Sequence, residues 1–346
     1  MIRTVDPRTD PSWRALMESP RGSLFGAPPW LSAICDTYGF DMSAHLTLDA
    51  TGQATGGFAF GEVDDFLGAR MLSLPFCDFL DPIVDTDEQW HEVADPLVAR
   101  GLPYQIRVVN ADEPLRDERF VQVDEMAWHG TDLLRDEEAI FAAFNRRTRQ
   151  NVRSAQNNNV TARFGSDLED VHAFHELHRR TRKRKHQLLA QPVSFFENIW
   201  KQFASSDGIV VGFAEHEGDV IAASMYLMWG GVWYYKFGAS ILERSAVRPN
   251  EFLAWESMCL AKSRGCPLYD WGVSDLDPPG LVDYKRKLCT DERKVSVLRY
   301  TPDGFANPVA DEARPVLGEL TKLLTREDVP DDITQRAGEI LYRYFT

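Results

Sequence analysis

Two stretches of the chain repeat one order of hydrophobic and polar pattern. In the first, apolar and polar residues alternate over Ala44–Asp49 and Gly56–Val63, on either side of Ala50-Thr51-Gly52-Gln53, which reads as a β-hairpin. A strand over Ala69–Pro75, a helix over Asp87–Arg100 and a strand over Tyr104–Asn110 are expected to follow. In the second, Gly208–Glu215 and Val220–Met228 flank Glu217-Gly218-Asp219, where glycine tolerates the positive φ of a tight turn. Gly230-Gly231 then turns the chain into Val232–Phe237. A helix is expected over Asn250–Ser263, with Gly265 stopping it and Leu268–Val273 resuming as a strand. Hairpin, strand, helix, strand, twice over, predicts an α/β protein of two similar units in tandem.

Between the units, Ser166-Asp-Leu-Glu169 and Ser194-Phe-Phe-Glu197 each match a capping box, in which a serine oxygen and a glutamate carboxylate satisfy orphan amides. Leu168, Val171, Phe174 and Leu177 give the first helix an apolar face, and Phe195, Phe196, Ile199, Trp200 and Phe203 the second. Two further helices, Val309–Leu324 and Asp331–Tyr344, close the chain. The expected division places residues 1–130 and 300–346 in a first domain and 131–299 in a second.

A length of 346 residues suits two domains of ordinary size. No apolar run approaches the roughly 18–20 residues of a membrane helix, and Met1–Pro20 is too polar for a signal peptide. The five cysteines are scattered without a Cys-x-x-Cys, which argues against zinc and against a disulfide scaffold and suits a reducing cytosol. A soluble cytoplasmic protein is the expectation. The net charge of −15 disfavours a nucleic-acid partner until its distribution is read: Ile140–Lys185 holds 11 Lys/Arg against 4 Asp/Glu, which is +7, leaving −22 elsewhere. A local basic surface on an acidic chain can bind phosphates.

Phosphate loops of the P-loop or dinucleotide type, a Gly-x-Ser-x-Gly elbow and a His-Glu-x-x-His motif are all missing. His172, His175 and His178 fall along one helix and read as a partly exposed row rather than convergent ligands, so neither metal nor cofactor is expected. The basic residues cluster at Arg146, Arg147, Arg149 and Arg153, then at Arg179, Arg180, Arg182, Lys183, Arg184 and Lys185. A solvated helix face would explain them, but few acids at i+4 neutralise them, and polyphosphate or RNA contact is the functional reading. In Trp233-Tyr-Tyr-Lys-Phe237, alternation sends Tyr234 and Lys236 to one side and Trp233, Tyr235 and Phe237 to the other. Gly280-Leu-Val-Asp-Tyr-Lys285 reads as a loop-to-strand junction after Pro278-Pro279, with Asp270 and Asp275 nearby.

The segment Asn145–Val160 resembles the Fem-family segment in which a basic helix ends at a turn of the Lys-Asn-Gly-Val kind. Phe237-Gly-Ala-Ser240, Arg248-Pro-Asn-Glu-Phe-Leu-Ala-Trp255, Leu268-Tyr-Asp-Trp-Gly272 and Gly280–Lys285 follow in family order, and Leu74-Pro-Phe-Cys-Asp78 resembles a motif of the shorter FemAB-like acyltransferases. The matches span residues 25–290. The resemblance implies two GNAT-like domains with the C-terminal helices returning to the first. It implies transfer of an aminoacyl group from tRNA to an amine of a peptide, peptidoglycan precursor or peptide-like natural product. By that resemblance Tyr284 and Lys285 lie at the site with Tyr235 beside them. Arg182 or Arg184 holds the acceptor, and Asp85 is its first-half carboxylate. Phe237, Asp78 and Asp270 are further candidates for the substrate site, and Arg146, Arg147, Arg149 and Arg153 for tRNA. The glycine-bearing loop by which GNAT enzymes hold acetyl-CoA is replaced by Ser245-Ala-Val-Arg-Pro-Asn250, which disfavours the alternative of acyl-CoA-dependent N-acylation. Lys285 is expected to stabilise the oxyanion, with Asp78 or Asp270 accepting the amine proton.

Overall fold

Every strand joins one sheet in the computed structural model, which describes residues 1–346. The strands are β1 (Ile2–Val5), β2 (Asp41–Leu48), β3 (Ala54–Val63), β4 (Arg70–Leu72), β5 (Tyr104–Val108), β6 (Phe120–Asp132), β7 (Thr161–Gly165), β8 (Ile209–His216), β9 (Asp219–Trp229), β10 (Val232–Ser240), β11 (Leu268–Asp275) and β12 (Asp291–Tyr300). Their order across the sheet is β1-β2-β3-β4-β5-β12-β6-β11-β10-β9-β8-β7. The repeated pattern seen in the sequence has a structural counterpart. β2-β3-β4 and β8-β9-β10 are antiparallel runs, and each ends in a parallel pair, β4 with β5 and β10 with β11. At the centre the repeats exchange strands, since β6 pairs with β11 and β12 with β5.

Local chemistry explains the hairpins. Glu217 and Gly218 both take positive φ, 55° and 84°, as the two-residue turn between β8 and β9 requires. The parallel pairs need crossovers instead, supplied by the helices Asp87–Val98 and Pro249–Ser263.

Both parallel pairs are short, and that positions the site. β4 and β5 are in register only at Met71↔Tyr104 and Leu72↔Gln105. β10 and β11 are in register from Val232↔Leu268 to Tyr234↔Asp270, then part. β10 runs on to Ser240 held by β9 alone, and β11 runs on to Asp275 held by β6. Each repeat therefore opens a gap beyond the last paired residues.

One continuous apolar core crosses both repeats. Trp30 and Tyr38, on the helix Pro28–Tyr38, contact Phe195 on the helix Val193–Phe203, with ring centroids 5.8 and 5.4 Å apart. The last helices return to the first repeat. Pro308–Leu324 buries Ala310 and Leu317 against Leu67, and Asn307 donates to the Leu67 carbonyl.

Several local expectations change. Gly280–Arg286 is a helix rather than a loop, begun just after Pro279. The box at the start of Leu168–Thr181 is one residue later than read, with the Asp170 carboxylate accepting from the Asp167 amide. Ser194 caps nothing, because Pro192 is the N-cap of the next helix and Glu197 instead meets His172 at 2.8 Å. His175 and His178 are buried rather than exposed, both hydrogen-bonded to Gln191.

Candidate active site

The turn Leu74–Asp78 leaves β4 at the first gap. Phe76 holds φ at 58°, a strained conformation for a bulky residue, and such strain persists only where surrounding structure enforces it. Arg107, on β5, donates to the Cys77 carbonyl at 3.1 Å and fixes the far side of the turn. Asp78 then reaches across to the second repeat. Its Oδ1 lies 2.7 Å from Lys236 Nζ on β10, and its Oδ2 accepts from the Val273 amide on β11 at 3.3 Å.

Lys236 is placed by a bulge. Tyr235 pairs with Tyr226 and Phe237 with the next residue, Met225, so Lys236 is the extra residue in β10. The bulge corrects the simple alternation. Phe237 lies on the face of Tyr234, against Phe196 and Phe195, while Trp233 and Tyr235 remain on the other. The Lys236 ammonium sits 4.6 Å from the Phe25 ring centroid and 5.2 Å from that of Trp30. Aromatic faces and a carboxylate thus replace the water it gave up.

Behind this pair lies a second one. Asp270 is buried, with Oδ2 accepting from Trp128 Nε1 at 2.9 Å and Oδ1 from the Gly272 amide at 2.6 Å. Lys285, on the helix Gly280–Arg286, is also buried and donates to the Gly272 and Val273 carbonyls, 3.1 Å each. Gly272 is required at this crossing: its φ is +70°, and a Cβ there would meet Asp78 Oδ2 at 2.6 Å.

These environments set the charges. Burial pushes the Asp270 carboxyl up to about 6, against the hydrogen bonds from Trp128 and Gly272. Burial also pulls the Lys285 ammonium down to about 8, against Asp78 and Asp270. For Asp78, burial is outweighed by the charge and hydrogen bond of Lys236 and by Lys285, which hold its carboxyl below the usual range. At neutral pH these shifts leave Asp78 and Asp270 as carboxylates and Lys285 as an ammonium.

The cleft above Asp78 has a volume of about 270 Å³. Trp30, Phe76, Phe195, Phe237 and Tyr342 form its apolar walls, and Asp78, Lys236 and Arg107 its charged groups. Lys236 faces this space, whereas Lys285 lies behind with two of its three protons given to carbonyls. Lys285 therefore supports the β11 backbone from below, and Lys236 is the ammonium that reaches the cleft.

Other sequence candidates lie elsewhere. Tyr235 and Tyr284 pack in the second core, Tyr235 at 5.6 Å from Trp271, and burial raises both phenols. Asp85 is exposed and paired with Arg21 at 2.6 Å, outside the cleft lining. Arg182 donates to the Leu189 carbonyl, and Arg184 is exposed beside a second, basic cavity shared with Arg180 and Lys185. Part of the basic cluster is structural: buried Lys183 and Arg179 hold Asp331, at the start of the last helix. Arg149 donates to the Ala142 carbonyl and Arg153 lies over Phe141, while Arg146 and Arg147 are exposed and unpaired. No three His, Cys, Asp or Glu side chains converge to hold a metal.

In the sequence Lys236 stands out as a candidate, a lysine among aromatics on a strand beside an inferred cleft, but without a chemical role, and nothing there marks Arg107, Trp30 and Tyr342 as lining residues. Their signal is distributed over β10, β5, an early helix and the last turn of the chain, and only the tertiary packing gathers it.

Residues 143–286 match the sequence model of a family described as an acetyltransferase (GNAT) domain. No protein of curated function matches by sequence. Among solved structures, FemX is similar over 93% of this chain and 100% of its own, at 15% identity and a TM-score of 0.67. A tandem GNAT protein from the clavulanic acid biosynthesis pathway is similar over 88% of this chain and 100% of its own, at 12% identity and a TM-score of 0.52. The C-terminal domain of a putative lysylphosphatidylglycerol synthetase from Agrobacterium fabrum covers 83% of this chain and 91% of its own, at 12% identity and a TM-score of 0.53. The fold is that of tandem GNAT proteins, FemX among them. No helix is long and apolar enough to cross a membrane.

Proposed function

We propose that this protein is an N-acyltransferase that moves an aminoacyl group from aminoacyl-tRNA to an amine of a peptide, peptidoglycan precursor or peptide-like natural product. The observation that carries this reading is the Asp78–Lys236 ion pair, spanning the two repeats where both parallel strand pairs have parted. A carboxylate there can receive an amine, and an ammonium can meet the oxygen that becomes negative.

The chemistry asks little covalent help of the protein. The neutral amine attacks the ester carbonyl, a C–N bond forms, and the ester C–O bond breaks. Asp78 accepts the proton of the nitrogen that has become cationic, and the departing ribose oxygen finally receives it. Holding amine and ester together contributes most of the rate. Lys236 meets the developing oxyanion, helped by the edge of β10 that has no partner on β11 beyond Tyr234. Lys285 and Asp270 are positioning residues for Gly272 and Val273, beside which Asp78 rests.

Two observations support tRNA as donor. The stretch Leu242–Val247 before the helix Pro249–Ser263 contains no glycine to expose amides to a pyrophosphate. Arg146, Arg147, Arg180, Arg184 and Lys185 are exposed cations without ion-pair partners.

The test uses tRNA charged with labelled amino acids, mixed with the protein and an extract of small amines. Label should pass from the alkali-labile ester to an alkali-stable amide only when protein is present. Amide formation from acetyl-CoA, with the tRNA ester untouched, would replace this reading with acyl-CoA-dependent N-acylation.

A further inference from the structure

We infer that the molecule seated in the cleft above Asp78 is a small zwitterion of the amino-acid type, with an aromatic or bulky apolar side chain. The inference rests on reading that cleft as the acceptor site of acyl transfer.

Three properties of the cleft converge on this class. Its volume of about 270 Å³ lies just under the ≈ 300–1,000 Å³ of pockets that enclose drug-sized ligands. A group the size of one amino acid fills it.

The second property is charge. Asp78, Lys236 and Arg107 line the space, and Asp78 is matched by Lys236 at 2.7 Å. Arg107 has no carboxylate within ion-pair distance, and its one hydrogen bond goes to the Cys77 carbonyl. The cleft therefore offers a guanidinium without an ion-pair partner close to the Asp78 carboxylate. A ligand with one anionic and one amino group balances both. The amine takes the face of Asp78 turned to the cleft, whose side chain is 23% exposed. A carboxylate meets Arg107, whose planar fork suits two oxygens at once.

The third property is the wall. Trp30, Phe195, Phe237 and Tyr342 come from both repeats and the C-terminal segment, and their rings offer edges and faces to an apolar body. A glycine-like or strongly polar ligand would leave this surface in contact with water.

Calorimetric titration of the full chain with L-phenylalanine, phenylalaninamide, N-acetylphenylalanine and glycine tests the inference without any donor. Phenylalanine should bind, and the other three should each bind about 10- to 100-fold more weakly, as expected for losing a charge-assisted contact or the apolar body. Arg107→Gln should weaken phenylalanine by a similar factor and phenylalaninamide by clearly less, since only the acid loses a charge-assisted contact while both feel any movement of the turn that Arg107 holds. Equal binding of phenylalanine and its amide by the wild-type protein would overturn the carboxylate assignment, whatever the variant does. No binding of phenylalanine, in a protein that still forms alkali-stable amide from charged tRNA, would overturn the inference and leave the transferase reading standing. Binding of phenylalanine with acylation only from acetyl-CoA would sustain the acceptor and remove the donor.

Discussion

Lys236 Nζ lies 2.7 Å from Asp78 Oδ1, and this one contact joins β10 of the second repeat to the turn after β4 of the first. Neither repeat contains the pair by itself, so the tandem arrangement is a condition of the site.

Lys236→Met should lower the single-turnover rate about 10²–10³-fold, the usual size for losing one oxyanion donor. Lys285→Met should behave differently. It strips the Gly272 and Val273 carbonyls of a buried donor, at a cost of about 1–3 kcal/mol in unfolding free energy. Denaturant unfolding and single-turnover transfer on both variants separate the roles. A Lys236→Met protein as active as wild type would remove Lys236 from the chemistry.

Activity should rise with pH through about 6, as Asp270 ionises, and fall through about 8, as Lys285 loses its proton. The stability contributions have a definite sign. Because Asp270 is raised above its unfolded value, its ionisation costs stability as pH climbs from about 4 to about 6, and the penalty then stays constant. Because Lys285 is depressed, its penalty is full below about 8 and disappears as pH rises toward its unfolded value. Asp270→Asn should therefore flatten the unfolding free energy between pH 4 and 6 and abolish the acid limb of the rate profile. An unaltered acid limb would assign it to another group.

Gly272→Ala should disturb Asp78 without touching any charge. The added methyl meets Oδ2 at 2.6 Å, and the residue must hold φ at +70°, a strain of about 1–3 kcal/mol. Loss of transfer together with a lowered melting temperature is expected. Full activity would mean that the position of Asp78 does not matter.

Much of the scaffold was legible because its signals are local. Glu217-Gly218 specifies a hairpin within four residues, and the helix Pro249–Ser263 is capped by Arg264, one residue before Gly265. The site was legible only as fragments. Asp78, Lys236, Asp270 and Lys285 lie far apart in the chain; β10 and β11 are neighbours in the sheet, β4 is not, and Asp78 meets them because the turn after β4 carries it across. A bulge shifts the period of a strand by one, so strict alternation put Phe237 on the wrong face of β10. Lys285 read as a loop lysine because nothing in Gly280–Lys285 announces that a helix will bury it. The basic residues Arg179 and Lys183 were taken for phosphate ligands, but their partner Asp331 is about 150 residues away by sequence number.

Charge reversal at Arg146 and Arg147 should weaken tRNA binding most at low salt and reduce the slope of log K against log[salt] by about 1–2, as expected for two lost phosphate contacts. Arg149→Gln should mainly destabilise the fold, since its guanidinium already serves the Ala142 and Phe144 carbonyls. Filter binding from 50 to 200 mM salt, paired with thermal unfolding, distinguishes the two outcomes. A slope unchanged by the double reversal would place the RNA elsewhere.

In the proposed reaction, aminoacyl ester and amine meet at Asp78 and Lys236. It is tested most directly by single-turnover transfer from labelled aminoacyl-tRNA to phenylalanine, comparing wild type, Lys236→Met and Asp78→Asn. Wild type should form alkali-stable product, with both variants about 10²-fold slower or more and still able to bind tRNA. Equal rates for all three proteins, or product from acetyl-CoA alone, would contradict it.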